Sequence, residues 1–303
     1  MTEKHSAPST TATTTAITTA ITTTSAQGPI GVFDSGIGGL SIAHAIEQQL
    51  PHESLLYVAD HAYAPYGGRP VPFIVSRAVE IVHWLIKQGA KAIVVACNTA
   101  TVIAIKRLRA QVPDVPIIGV EPGIKPAIQR VYRGQTLSTA SSSTNKRKPK
   151  IAVLATANTV RGSSFRQLVS RHTGGHPIFL QACPGFADLV ETGDWESASA
   201  RQSIERIIKP LIANGASTFV LGCTHYIFLK PIIQALAQSP ITLIDTSQAV
   251  ARQVHRRLID QHLLAPTIPL PNYHFYSTQL TDKTYTIVKN IWPKAHQISS
   301  LTL

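Results

Sequence analysis

Two cysteines occupy matching positions in two similar segments of the sequence. Residues 89–99 align without a gap on residues 215–225, and this alignment pairs Cys97 with Cys223. Each cysteine follows a short apolar run of the kind that forms an interior strand of a parallel sheet. The carboxyl ends of such strands are where open α/β sheets bind their ligands. We therefore expect both thiols to lie in one cleft between two equivalent halves.

Two facing thiols suit either redox chemistry or paired acid–base chemistry. Redox pairs are usually close in sequence, whereas these cysteines belong to different halves of the chain. In the acid–base case, one thiolate removes a proton from a carbon and the other thiol delivers a proton to the opposite face, which inverts the configuration. A helix after each cysteine would favour the thiolate and lower a thiol pKa of about 8.5. Cys183 lacks this context, and we expect it to be a structural thiol.

A glycine-rich segment, Asp34–Leu40, follows the first predicted strand at residues 29–33. Its glycines allow a tight turn, and the N–H groups at the start of the next helix would favour an anion. The segment also resembles the phosphate loop of actin-like ATPases. From the residues alone, an ATPase therefore stays an alternative.

The composition predicts a globular core with two polar segments of low complexity. The chain has 303 residues, of which 44% are hydrophobic. We expect residues 1–27, which are rich in Thr, to be a disordered tail, and residues 134–150 to be a flexible basic insertion. The net charge of +12 raises the alternative of a basic nucleic-acid-binding protein, but much of this charge lies around the insertion.

Localisation and metal content are predicted from what the sequence lacks. It has no apolar run of about 18 residues and no signal-peptide core. Its three cysteines show no spacing typical of a disulfide framework or a structural zinc site. We therefore expect a cytoplasmic protein with no membrane span and no metal.

Strands alternate with helices along the chain, and one of the predicted helices covers Thr101–Gln111 after the first cysteine strand. This alternation indicates an α/β fold with two pseudo-symmetric domains, mainly parallel sheets and an active site in the interdomain cleft. The first domain is predicted to contain residues 28–120 and 246–303, and the second residues 121–245.

Several motifs together resemble glutamate racemases of the cofactor-independent aspartate/glutamate racemase family. They are spread over about residues 29–260 and comprise Asp34–Leu40, Pro65–Gly67, Ala96–Ala100, Glu121–Pro122 and Gly222–Tyr226. The resemblance implies interconversion of L- and D-glutamate without a cofactor, which supplies D-glutamate for bacterial peptidoglycan. It also implies glutamate as the ligand and a homodimer. A racemase of the same fold that acts on aspartate or a related acid is the alternative, and no residue assigns an activator site, nucleic-acid binding or gyrase binding.

The resemblance further implies a role for individual residues. Cys97 and Cys223 would be the two acid/base residues, acting on D- and L-glutamate respectively. Asp34 and His225 would each assist one thiol, and Glu191 matches an auxiliary acidic position. The implied substrate-binding residues are Asp34, Ser35, Tyr66, Gly67, Asn98, Thr99, Thr224 and His225.

One loop of the second half departs from the family pattern. Thr156 and Thr159 are possible further substrate contacts, but Asn158 stands where the family more often has glycine. This departure weakens the transfer of binding roles to that loop.

Overall fold

The computed structural model describes residues 25–132, 150–173, 177–237, 239–267 and 270–303. Most of the predicted tail and insertion lies outside these ranges. Of the described residues at their edges, Ala26 accepts a hydrogen bond from Lys91 through its carbonyl oxygen (2.6 Å), and Lys150 begins a strand. The domain limits predicted above stay a prediction.

Strands and helices alternate through most of the described chain. The strands are β1 (Ile30–Asp34), β2 (Leu55–Ala59), β3 (Ala92–Val95), β4 (Ile117–Gly119), β5 (Lys150–Ala155), β6 (Ile178–Ala182), β7 (Ala216–Leu221), β8 (Thr242–Ile244), β9 (Tyr273–Ser277) and β10 (Gln297–Ser300). The helices are α1 (Leu40–Gln49), α2 (Val71–Lys87), α3 (Asn98–Gln111), α4 (Ile124–Tyr132), α5 (Ala157–Arg161), α6 (Ser163–Thr173), α7 (Phe186–Glu191), α8 (Ala198–Ala213), α9 (Lys230–Ala235), α10 (Ser247–Asp260) and α11 (Asp282–Ile291). Short 3₁₀ turns lie at His61–Tyr63, Tyr66–Gly68 and Thr224–Leu229.

The strands form two sheets with parallel pairing. The six-stranded sheet has the order β10-β9-β2-β1-β3-β4, and the four-stranded sheet has the order β6-β5-β7-β8. The strands of the smaller sheet, β6-β5-β7-β8, have the same order along the chain and in the sheet as β2-β1-β3-β4 of the larger sheet. Since Cys97 follows β3 and Cys223 follows β7, the two cysteines leave equivalent strands in equivalent halves. The predicted α/β class with mainly parallel sheets is confirmed.

A shared apolar core fixes how the two sheets meet. One buried cluster contains Val94 of β3 and Leu221 of β7 together with Ile42 of α1 and Val254 of α10. Because this cluster includes residues of both sheets, buried apolar side chains join the two halves. Helices α1 and α10 also pack against each other. Among the described residues, no helix combines the length and apolarity that a membrane crossing would require.

Helix α3 begins earlier than the sequence predicts, at Asn98 instead of Thr101. The Cys97 sulfur accepts a hydrogen bond from the Ala100 N–H (3.5 Å) and so caps the first turn. A cysteine is not among the usual capping residues, which explains why the pattern placed the helix start later.

Candidate active site

Asp34 lies at the end of β1 and connects the glycine-rich turn to the second half of the protein. Its Oδ1 accepts hydrogen bonds from the Gly36 N–H (3.0 Å) and the Ser35 hydroxyl (3.1 Å). Its Oδ2 accepts a hydrogen bond from the hydroxyl of Thr224 (2.8 Å), which follows β7. Because the carboxylate is fully buried, these three donors take the place of water.

Cys97 lies beside this turn and is 5% exposed. Its sulfur is 3.9 Å from the Ser35 hydroxyl oxygen. Burial raises the pKa of the Cys97 thiol, and the negative charge of Asp34 raises it further. The expectation that the helix N-terminus lowers this pKa is therefore wrong for the unliganded protein, because desolvation and a nearby carboxylate outweigh the helix.

Cys223 precedes Thr224, which bonds Asp34, and its sulfur begins a chain of polar contacts. Its sulfur is 3.6 Å from Nδ1 of His225, and Nε2 of His225 forms a short contact with Oε1 of Glu191. Burial alone would lower the pKa of His225, but Cys223 and Glu191 raise it well above its ordinary value. Burial would likewise raise the pKa of Glu191, yet His225 and His61 hold it well below its usual range. The imidazolium thus lies between a thiol group and a carboxylate.

Glu191 also binds groups from the first half of the chain. Its Oε1 accepts a hydrogen bond from the Ile37 N–H (2.9 Å), and its Oε2 is 3.2 Å from Nε2 of His61. Nδ1 of His61 is in turn 2.7 Å from the hydroxyl oxygen of Ser277. The sequence analysis did not identify His61 or Ser277. His61 follows β2 by two residues, at the carboxyl edge of the sheet, and this position is the sequence signal by which it could have been found.

A group of hydroxyls joins the N-termini of α3 and α5. The Thr99 oxygen is 3.0 Å from that of Thr156 and 3.4 Å from that of Thr159. The Thr156 and Thr159 oxygens are also 3.0 Å apart. Nearby, Nδ2 of Asn98 is buried and has no hydrogen-bond partner within the described ranges. This amide is a free donor inside the site.

Tyr66 and Gly67 lie on a loop that the second half holds from across the cleft. The Tyr66 hydroxyl donates to Oδ2 of Asp60 (2.5 Å), so it is committed to the protein itself. Nδ2 of Asn158 donates to the carbonyl oxygens of Tyr66 (3.2 Å) and Arg69 (2.9 Å). A Cβ on Gly67 would lie 2.9 Å from Cβ of Thr156, so glycine is what permits this close approach. Any ligand contact of Tyr66 would therefore come from its backbone or ring.

A cavity of about 430 Å³ opens next to this loop. Its lining includes Gly67, Thr156, Cys183, Asp188 and Tyr226, but neither Cys97 nor Cys223. Cys183 itself contacts backbone groups, since its sulfur lies 3.6 Å from the Gln181 carbonyl oxygen and its carbonyl accepts the Tyr226 hydroxyl (3.1 Å). All three cysteines are free thiols.

The structure thus brings most of the predicted site residues together around the turn at Asp34. The Cys97 sulfur lies 3.9 Å from the Ser35 hydroxyl oxygen, and the imidazolium of His225 beside Cys223 can stabilise a thiolate. Hydroxyls of Ser35, Thr99 and Thr224 and the free amide of Asn98 belong to the same strand ends and helix starts, and such groups can bind carboxylates. The Tyr66 hydroxyl is turned away to Asp60.

The sequence and the fold both match known racemases. The profile of the Asp/Glu/hydantoin racemase family matches residues 8–254. A glutamate racemase of Ectopseudomonas mendocina is 42% identical over 253 residues, which are 84% of this chain and 90% of the relative. The crystal structure of a glutamate racemase isoform from Bacillus anthracis superposes with a TM-score of 0.76 at 29% identity, covering 91% of this chain and 98% of that chain. The glutamate racemase of Francisella tularensis, solved in complex with D-glutamate, has a TM-score of 0.76 at 25% identity over the same shares of the two chains. The chain is a member of the Asp/Glu/hydantoin racemase family.

Proposed function

We propose that the protein interconverts L- and D-glutamate by two-thiol acid–base catalysis without a cofactor, and that it supplies D-glutamate for peptidoglycan. One observation carries the proposal: Cys97 and Cys223 follow equivalent strands of two matching sheets, and both strand ends contact the same turn, Cys97 through Ser35 and the residue after Cys223 through Asp34. The substrate is supported by the relatives, which are named glutamate racemases.

The two thiols have different surroundings, and this difference supports different roles for them in the first step. The Cys223 sulfur lies 3.6 Å from Nδ1 of His225, whose pKa is raised, so an imidazolium faces the position from which a thiolate would act as the base. Burial and the Asp34 charge raise the pKa of the Cys97 thiol, which suits it to the acid role.

In the forward direction, the Cys223 thiolate takes the α-proton of L-glutamate. The electron pair of the broken C–H bond stays on the α-carbon, and Cys97 then gives its proton to the opposite face. The product is D-glutamate, with a Cys223 thiol and a Cys97 thiolate left in the site. The reverse reaction uses the same atoms with the two roles exchanged, and the assignment of each thiol to one enantiomer rests on the family resemblance.

Binding of the substrate carboxylates is assigned to the polar groups around the thiols. The free Nδ2 of Asn98 is a donor with no competing partner among the described residues. The hydroxyls of Ser35, Thr99 and Thr224 lie on the surrounding strand ends and helix starts and add further donors. Backbone groups of Tyr66 and Gly67 would complete this set on the loop side.

Serine substitutions test the division of labour between the thiols. Cys97→Ser and Cys223→Ser should each lower racemisation of glutamate at least about a thousandfold, because a hydroxyl is a far weaker acid than a thiol. Cys183→Ala is the matched control and should stay within a fewfold of the wild type. β-Chloroglutamate reports the two faces separately, because it loses chloride once its α-proton has been removed. Each serine variant should retain this elimination with one enantiomer only, and the two variants should retain opposite ones.

Two results would contradict the proposal. One is near-normal racemisation by either serine variant. The other is faster racemisation of aspartate than of glutamate by the wild type, which would favour the alternative substrate of the same fold.

The remaining sequence-based expectations are proposals of the same kind. We infer a homodimer that works in the cytoplasm, in keeping with the family resemblance. Analytical ultracentrifugation of the purified protein, repeated with glutamate, tests the assembly. Fractionation of cells that make the full chain tests the compartment.

A further inference from the structure

We propose that His61 is a positioning residue for one half of the reaction, the proton transfer at Cys223. It would act through Glu191 and His225 without touching the substrate. The inference rests on the proposed two-thiol function and adds a residue that neither the motifs nor the family resemblance assigns.

His61 is held between the two halves of the protein. Its side chain is 9% exposed and follows β2 of the six-stranded sheet. Its Nε2 lies 3.2 Å from Oε2 of Glu191, which ends α7 near the four-stranded sheet. Its Nδ1 lies 2.7 Å from the hydroxyl oxygen of Ser277, which is fully buried. Nδ1 therefore has a hydrogen-bonding neighbour, whereas Nε2 is buried, has no hydrogen bond among the described residues and faces the Glu191 carboxylate.

The partner of Ser277 decides which nitrogen of His61 carries the proton. The Ser277 hydroxyl oxygen accepts the Gln279 N–H at 3.1 Å, so its own proton is free to go to Nδ1 of His61. In the neutral tautomer with its proton on Nε2, His61 turns this N–H toward Oε2 of Glu191, a 3.2 Å contact between polar atoms whose present geometry is not that of a hydrogen bond. If His61 is protonated, the same N–H is present. The donor that faces the carboxylate is present in either state.

The two carboxylate oxygens of Glu191 have different partners, and His61 faces only one of them. Oε1 receives the Ile37 N–H and contacts Nε2 of His225. Oε2 faces His61. With His61 in place, both oxygens are fixed and the carboxylate plane cannot turn away from His225. This is the arrangement by which outer groups orient an imidazole in metal sites and catalytic triads.

The effect should be confined to one side of the site. The chain from His61 leads through Glu191 and His225 to Cys223. Among the described residues, the Cys97 sulfur contacts the Ser35 hydroxyl and the Ala100 N–H. Loss of His61 should therefore slow proton removal by Cys223 and leave proton removal by Cys97 nearly unchanged.

Racemisation rates cannot show such an asymmetry. The enantiomers have equal free energy in water, so kcat/KM must be the same in both directions for any variant. Elimination from the separate enantiomers of β-chloroglutamate avoids this constraint, because it needs only one base. In that reaction the thiolate takes the α-proton, a carbon–carbon double bond forms and chloride leaves.

The substitution His61→Phe removes the donor and keeps a ring of similar size. We expect it to lower kcat/KM for elimination at the Cys223 face by about tenfold to a hundredfold, because Glu191 loses the polar group that faces its Oε2. Elimination at the Cys97 face should stay within about twofold. His61→Gln restores an N–H near the position of Nε2 and should recover most of the lost rate. His83→Phe, at an exposed histidine of α2, is the matched control and should change neither rate.

Ser277→Ala provides a second route that leaves His61 in place. It removes the hydroxyl that fixes the tautomer and should give a smaller loss at the Cys223 face only. Equal losses at both faces, or a His61→Phe variant that matches the wild type, would overturn the inference even if racemisation by the wild type supports the proposed function. Absence of glutamate racemisation in the wild type would instead remove the proposed function itself.

Discussion

Gly38 lies where the glycine-rich turn meets the side chains that follow β7. A Cβ at this position would lie 2.7 Å from Cε1 of His225 and 2.7 Å from Oγ1 of Thr224, and closer still to Nδ1 of His225. Non-bonded carbon atoms prefer a separation of about 3.5–4.0 Å, so the ring would have to move by about 1 Å. Since Gly38 does not have a positive φ, Gly38→Ala tests this contact without straining the backbone.

The expected effect is large on activity and smaller on stability. A misplacement of about 1 Å in a catalytic group lowers rates by about a hundredfold, or about 2.7 kcal/mol of transition-state free energy. Overpacking lowers the free energy of unfolding by about 1–3 kcal/mol, and the lost freedom of the unfolded chain offsets up to about 1 kcal/mol of this. We therefore expect a folded protein with a slow reaction.

Circular dichroism of L-glutamate solutions measures kcat and KM, and urea unfolding measures stability. Gly68→Ala is the matched control, because a Cβ on Gly68 has no neighbour within 4 Å, and it should behave as the wild type. A Gly38→Ala protein that keeps more than about a third of wild-type kcat would refute the argument from crowding at His225.

Three further predictions concern other parts of the site. Asp60→Asn should lower the free energy of unfolding by about 3 kcal/mol in urea titrations, because the amide keeps only one acceptor oxygen for the two Arg77 N–H bonds (3.0 and 2.8 Å) and removes the charge that pairs with the buried guanidinium; an unchanged midpoint would contradict this. The pKa of Glu191 is lowered in the folded protein, so its ion pairs contribute stability above about pH 4.3, and this contribution is lost as the pH falls further. The difference in unfolding free energy between the wild type and Glu191→Gln should therefore be constant between about pH 5 and 6 and shrink toward pH 3. A difference that grows as the pH falls from about 5 to 3 would contradict this prediction. Asn158→Ala should raise amide hydrogen exchange in the Gly67–Arg69 loop about tenfold, because two hydrogen bonds to that loop are lost, while exchange in β2 stays the same.

The fold was predictable because its signals are local and repeated. The apolar runs before Cys97 and Cys223 match in sequence, and the structure places them as β3 and β7, equivalent strands of two sheets. The C-terminal strands β9 and β10 were not predicted as separate elements. Strand β9 pairs with β2, whose residues lie more than 200 positions away along the chain, and β10 pairs with β9. Such long-range pairing leaves no local pattern.

The candidate site was predictable in its members but not in its electrostatics. The motifs indicated Asp34, Glu191 and His225, and the structure brings all three together. The motifs could not show that burial and Asp34 raise the pKa of the Cys97 thiol, because burial depends on the whole fold. The motifs also gave no indication of His61, whose two partners come from distant parts of the chain.

The contacts across the cleft also affect how substrate reaches the thiols. Cys97 and Cys223 are only 5% and 7% exposed, and Glu191 and Asn158 bond to loops of the opposite half. We expect glutamate to enter and leave when these bonds break, so that every turnover contains an opening step whose rate limits kcat if it is slower than the proton transfers. The apparent affinity for glutamate equals the intrinsic affinity multiplied by the fraction of molecules that are open. Solvent viscosity and the strength of these bonds should therefore govern turnover alongside the acidity of the two thiols.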